Sequence, residues 1–220
     1  MPNIQIDIVS DIACPWCAIG YARLEQAMQQ VEPEFNFSVQ WHAFELNPDH
    51  SGEGEHILPA LARKYGRSEE DVRATQDEMI QIASGLGVNF DKLQERYTCS
   101  TFDAHRLVKW AGKQGKQTEM KQALFEAYFG HAEDVSQPEV LLACVAQVGL
   151  DKEAARAVLD SEQYAQTVRD DETRYQQAGV TAVPAFIINQ KYLISGAQEP
   201  ATLAQAFKDI SAEADQAEKG

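Results

Sequence analysis

Apolar and polar positions alternate at the start of the chain: Ile4, Ile6 and Ile8 are interleaved with Gln5 and Asp7, and this period-two run of β-branched residues predicts a strand reaching Val9. Ser10 and Asp11 punctuate it. From Cys14 to about Gln30 the period lengthens, because Cys17, Tyr21, Leu24, Ala27 and Met28 recur at spacings of three and four, as on a helix that buries one face. Pro15 suits the first turn of that helix, where a missing N–H removes no hydrogen bond. Phe35, Phe37, Val39, Trp41 and Ala43 alternate again and predict a second strand, stopped by Asn47-Pro48. The chain opens as β-α-β.

Helical periodicity then takes over. Helices are expected over Glu69–Leu86 with Gly87 closing, Thr101–Lys113, Thr118–Gly130, and Pro138–Val148 closed by Gly149. A further helix spans Ser161–Ala178. Val180–Pro184 leads into a short strand over Ala185–Ile188, Asn189-Gln190 forms a hairpin turn into Tyr192–Ile194, and an amphipathic helix covers Glu199 to about Ala212. Ser211–Gly220 is acidic and Ala-rich and is expected to fray. The organisation is therefore α/β, with a discontinuous domain over 1–50 and 160–220 and a helical insertion over 51–159.

A length of 220 residues with 44% hydrophobic composition allows a sizeable core and excludes a small disulfide-stapled scaffold. The net charge of −15 repels phosphate backbones and anionic membrane surfaces, so nucleic acid and membrane are not expected partners. The acidic residues are spread over the helices as a solvated surface. No apolar run approaches the length of a membrane span, and the first residues lack the charge and apolar core of a secretory leader, so a cytoplasmic protein is expected. Four cysteines are too few for a disulfide framework.

Two of the four carry the most specific signal. Cys14-Pro15-Trp16-Cys17 sits where the first strand gives way to the helix, and a spacing of three on a helix brings both Cβ atoms to one face within disulfide range. The helix N-terminus, with its exposed N–H groups and positive dipole end, favours a thiolate on Cys14. Cys14 is thus the expected nucleophile, and Cys17, one turn deeper, the group that resolves a mixed disulfide. The competing assignment for a C-x-x-C pair is half of a zinc site, which needs two more ligands, normally in a second close pair. Cys99 and Cys144 are isolated, and the five histidines show no ligand spacing. No metal is expected. Val183-Pro184 just before a strand must be an edge, a bulge or a cis bond, because proline lacks a ladder donor.

This order of elements and motifs resembles the DsbA-like thioredoxin fold over essentially the whole chain. Ser10–Gly20, Phe44–Pro48, Thr101–Arg106 and Ile194–Gln198 look like the FrnE-type cytoplasmic subgroup of that family. The resemblance implies a thiol-disulfide oxidoreductase or isomerase acting on a disulfide-bearing protein or small thiol. It needs no cofactor, and glutathione is the redox partner such chemistry would draw on. It further implies that Pro184 is cis and packs over the cysteine pair, with Val183 offering backbone groups to an extended substrate segment and Pro15 and Trp16 beside it. Thioredoxin-like proteins often carry a buried acid six residues before the first cysteine. That position here is Ile8, with Asp7 adjacent but pointing the wrong way.

Asp11 is a candidate modulator, either through its charge, which would raise the Cys14 pKa, or merely as a turn cap. His105 is a second candidate if it faces the cleft under the helical insertion. Trp41, Cys99 and Cys144 are read as packing residues, with a second redox role for Cys99 left open by its nearness to the Thr101–Arg106 motif. The rival to disulfide exchange is a glutathione-dependent transferase or isomerase of the kappa and hydroxychromene-carboxylate isomerase type. Those relatives carry serine at the Cys14 position.

Overall fold

A computed structural model describes residues 1–50 and 53–217 of the chain. Strands β1 (Asn3–Ser10), β2 (Asn36–Ala43), β3 (Ala185–Ile188) and β4 (Tyr192–Ser195) form one mixed sheet in the order β2-β1-β3-β4. The β1–β2 pair is parallel, and the pairs through β3 are antiparallel. The parallel pair needs a crossover, which α1 (Pro15–Val31) supplies. Asn189 and Gln190 both adopt positive φ, the backbone a two-residue hairpin turn demands.

Between β2 and the last strand pair run α2 (Ile57–Tyr65), α3 (Glu69–Gly85), α4 (Phe102–Gly112), α5 (Gln117–Phe125), a π-helical turn over Glu126–Gly130, α6 (Pro138–Gln147), α7 (Lys152–Leu159) and α8 (Ala165–Gln177). The sequence pattern did not resolve α2 or α7. Ser161–Gln163, expected inside a helix, instead lead into Tyr164, whose φ of 63° puts it in the left-handed region before α8 starts. The final helix, α9 (Pro200–Ala217), outruns the expected end at Ala212 and carries most of the segment expected to fray; residues 218–220, like 51 and 52, lie outside the described residues.

The two sheet faces are packed differently. Ile4, Ile6 and Ile8 of β1 join Trp41, Phe186, Leu24 and Phe207 in the main core under α1 and α9. Each such buried aliphatic removes enough apolar surface from water to contribute about 1.5–3 kcal/mol. The same core continues into α4, α5 and α6 through Leu107, Leu124 and Leu141. On the opposite face Val9, Phe44 and Ala185 pack against Tyr175 of α8 and Val180. Among the described residues no helix is long and apolar enough to cross a membrane.

Candidate active site

Cys14 is the N-cap of α1, with extended backbone (φ −95°, ψ 109°) and Pro15 in the first turn. The Cys17 N–H donates to the Cys14 carbonyl at 3.0 Å, and this closes the turn that stacks the two side chains. Both cysteines are thiols. Cys14 is 5% exposed and Cys17 1%. That small difference has a consequence: Cys14, with Pro15 and Trp16, lines a cleft of about 1250 Å³, whereas Cys17 does not reach it.

Across the cleft mouth stands the loop before β3. Val183-Pro184 is cis, as is Glu32-Pro33 at the far end of α1, a bond with no sequence signal. The Cys14 thiol donates to the Val183 carbonyl at 3.6 Å, and Thr181, Ala182 and Val183 form one wall. Gly20 lets the helix and this loop meet. A Cβ there would sit 2.9 Å from Pro184 Cγ and 3.3 Å from Phe186 Cζ.

Behind the pair lies a charge that sequence reasoning missed. Lys121, on α5, is 1% exposed, with Nζ 3.5 Å from the Ser10 carbonyl and over the rings of Trp41 (5.5 Å) and Phe125 (5.3 Å). No carboxylate lies within ion-pair distance of it among the described residues. Burial draws its pKa down to about 8, against the pull of Cys17, Asp11 and Cys14. The one available signal was its place three residues before Leu124 and four before Phe125, on the stripe α5 buries.

The thiols titrate as a pair. The hydrogen bond shared with Cys17 and then burial push Cys14 well up, and the nearby Asp11 charge adds to this. Cys17 lies below its ordinary value although burial opposes it, because the polar groups of Cys14 and Ser10 beside it and the Lys121 charge favour its thiolate. The buried Ser10 hydroxyl is left without a hydrogen-bond partner among the described residues. The first proton therefore leaves easily and the second is held hard. In the closed dithiol the charge rests on the deeper, Lys121 side, whereas the helix dipole alone had pointed to Cys14.

Asp11 does both things weighed for it. Its carboxylate accepts from the N–H of Ala13 (3.3 Å) and of Leu46 (2.8 Å), tying the turn to the loop after β2, and its charge is felt by Cys14. Buried at 1%, it stays ionised, because the His105 ring and these donors outweigh desolvation. His105 is not in the cleft wall. Its Nε2 lies 3.3 Å from Asp11 and 3.1 Å from the Phe44 carbonyl in a fully enclosed position, where burial and then the Lys121 charge hold its pKa low. It reaches the pair only through Asp11. Asp7 points away, onto the α8 face, where its carboxylate meets His42 Nε2 at 2.8 Å.

Trp16 is half-buried in the cleft wall, and Trp41 is core, its indole N–H bonded to Thr118 Oγ1 at 3.0 Å. Cys99 also borders the cleft, but burial raises its thiol to about 12. Cys144 is enclosed and bonded to the Ala123 carbonyl at 3.7 Å. Among the described residues no group of His, Cys, Asp and Glu is arranged to hold a metal ion. Arg96, which also lines the cleft, carried no sequence signal.

The chain is 34% identical to a structure described as a probable DsbA oxidoreductase from Streptomyces coelicolor, covering 96% of this chain and 91% of that one with a TM-score of 0.89. It is 27% identical to the uncharacterised protein YwbO of Bacillus subtilis over 94% of this chain and 97% of that protein. The fold is shared with the cytosolic disulfide reductase DsbM of Pseudomonas aeruginosa, solved with GSH (TM-score 0.63, 18% identity, 95% and 99% covered). It is also shared with a 2-hydroxychromene-2-carboxylate isomerase (TM-score 0.69, 15% identity, 96% and 98% covered). The description of the DSBA-like thioredoxin domain matches residues 5–208, and the chain belongs to that family.

Proposed function

We propose that the protein is a thiol-disulfide oxidoreductase in which Cys14 and Cys17 exchange two electrons with a disulfide held in the cleft. Family membership and the oxidoreductase among its similar structures support the reaction class. The observation that carries the mechanism is the asymmetry of the pair: one sulfur opens on the cleft and the other is backed by a buried cation.

Ionisation is favoured at the pair as a whole, since Lys121 and the first turn of α1 stabilise one negative charge there. Transfer of the Cys14 proton to Cys17 leaves the exposed sulfur as the attacking thiolate. Cys14 thiolate bonds to one sulfur of the substrate, the substrate S–S bond breaks, and the first thiol leaves with a proton. Cys17 then attacks the Cys14 sulfur of the mixed disulfide, its proton passing to the second thiol as that leaves. The protein is oxidised to a disulfide and the substrate reduced to two thiols; the reverse sequence transfers a disulfide to a dithiol. Val183 and the Thr181–Val183 wall present backbone groups to an extended substrate segment beside the reacting sulfur, as in strand addition. Asp11 opposes the thiolate, which makes the Cys14 sulfur more nucleophilic once ionised and a poorer leaving group.

No resident cofactor enters this chemistry. Glutathione is the natural redox partner in a reducing compartment, and the cytosolic, GSH-bound relative supports both that partner and a cytoplasmic setting. The isomerase fold relative is a weaker guide, because an intact second thiol is redundant for that chemistry. The decisive experiment mixes the reduced protein with bis(2-hydroxyethyl) disulfide and weighs the intact chain. Cys17→Ser should accumulate a mixed disulfide on Cys14, and Cys14→Ser should form none. Equal reaction by both variants would refute the assignment.

A further inference from the structure

The cleft contains a second buried cation, and it sits on the substrate side of the cysteines. Arg96 is 2% exposed. Its guanidinium lies over the rings of Tyr128 (5.4 Å) and Phe129 (5.3 Å), and Nη1 donates to the Leu93 carbonyl. Its Nε–H is buried without any partner, and among the described residues no carboxylate lies within ion-pair distance. The residue lines the same cleft as Cys14, whose sulfur, together with Cys99, acts on its charge.

A guanidinium in this state costs free energy. Desolvating a cation without a counter-charge is unfavourable by several kcal/mol, and the usual compensation is a bidentate carboxylate. The two aromatic faces offset part of the cost through cation–π attraction, and they also fix the plane of the fork. Every other arginine close to the cleft has an answer: Arg63 is paired with Glu55, and Arg67 is exposed and bonded to Thr75. The exposed rim carries both signs of charge, Asp49 and Glu53 beside Lys64 and Arg67, whereas Arg96 is the buried cation of the lining.

We propose that Arg96 anchors a carboxylate of the substrate, so that the cleft selects small disulfides carrying an acidic group within reach of the sulfur. This rests on the exchange reading above and names the class of molecule that reading leaves open. The carboxylate supplies the missing counter-charge at Arg96, and the disulfide sulfur is thereby held against Cys14.

The test compares three symmetric disulfides of similar length: dithiodiglycolate (anionic), bis(2-hydroxyethyl) disulfide (neutral) and cystamine (cationic). Each single-turnover rate of oxidation of the reduced protein is divided by that disulfide's rate with free dithiothreitol, which removes differences in leaving-group acidity. The wild type should favour the anionic over the neutral compound by about tenfold or more, the size of one charge-assisted contact. Cystamine should fall below the neutral compound. Arg96→Met should bring the anionic-to-neutral ratio to within about twofold of one, and Lys64→Gln at the rim should leave it where it was. If Arg96→Met fails to fold, Arg96→Lys, which keeps the charge and loses the fork, should still lower the ratio severalfold. A wild-type ratio at or below one, or a ratio indifferent to Arg96, overturns the proposal. Reaction with none of the three overturns the exchange reading itself, a result separable from loss of the preference alone.

Discussion

The two faces of the sheet handle buried charge in opposite ways. On the α8 face, Asp7, His42, Asp171 and Lys109 form a closed network: His42 touches Asp7 at 2.8 Å and Asp171 at 3.2 Å, Asp171 also accepts from the Ala43 N–H at 2.9 Å, and Lys109 pairs with Asp171 while donating to the Trp41 carbonyl at 3.0 Å. Both carboxylates of this network have a basic partner. On the side of α1 and the cleft, Lys121 and Arg96 are more deeply buried and have no carboxylate within ion-pair reach among the described residues. A paired network rigidifies the fold, whereas an unpaired buried cation costs stability and is available to a thiolate or a ligand. The redox pair lies on the second face.

The contrast can be broken most severely at the contact that joins α1 to the Pro184 loop. Gly20→Val would drive a branched side chain into Pro184 and Phe186. It should cost about 3 kcal/mol, lower Tm by roughly 6–12 °C and slow exchange, because Cys14 is moved off Val183. Thermal denaturation with a parallel rate measurement checks this, and a wild-type Tm would show that the close approach is not needed.

Removing one charge from the paired face should hurt stability and nothing else. Asp171→Asn leaves His42 and Lys109 without their shared partner, so a loss of about 2 kcal/mol and a Tm lower by roughly 4–8 °C are expected, at an unchanged rate of disulfide exchange. The matching change on the other face should do the reverse. Lys121→Met removes an uncompensated buried cation, so Tm should hold or rise, while the pH–rate midpoint of thiol reactivity moves up by about one unit and the rate at neutral pH falls about tenfold. An unmoved midpoint would separate Lys121 from the thiolate.

The smallest effects are two histidine titrations of opposite sign. Despite burial, the hydrogen bonds to Asp171 and Asp7 hold His42 above 6.5, so its contribution to stability is complete below 6.5 and is lost as pH rises through the raised folded value. Burial and Lys121 hold His105 below 6.5; its contribution is present above 6.5 and is lost as pH falls through the lowered folded value. NMR titration of the two rings should show midpoints on either side of 6.5, and a reversed order would invert the comparison.

What the chain made legible follows from range. Period-two and period-three-to-four patterns are local, and the strands, α1, α3, α4 and α6 appeared where the pattern put them to within a residue or two. Strand alternation likewise explains why Asp7, next to Ile8, faces away from the cysteines. Two short helices escaped. Asp151 caps α7 by accepting from the N–H groups of Glu153 and Ala154, a signal present in the sequence two residues after the Gly149 that closes α6. In α2 Pro59 interrupts the reading of the apolar run at its start. The cysteine pair announced itself because its chemistry depends on a spacing of three. Lys121 and Arg96 did not, since periodicity tells which face a residue takes and not which distant residue it meets. Their value to the site depends on α5 lying behind β1 and on Arg96 lying over Tyr128 and Phe129, contacts made only by the folded chain.

The central claim is that Cys14 and Cys17 form a reversible redox pair, and the most direct measurement is a redox titration. The protein is equilibrated in glutathione buffers of graded poise, its thiols are trapped by alkylation in denaturant, and the intact chain is weighed and mapped. The account predicts one reversible two-electron step in which Cys14 and Cys17 alone lose their thiols, while Cys99 and Cys144, whose thiols are raised to about 12, stay reduced throughout. Two thiols that persist at every poise, or a Cys14 that ends as a stable glutathione adduct with Cys17 untouched, would contradict it.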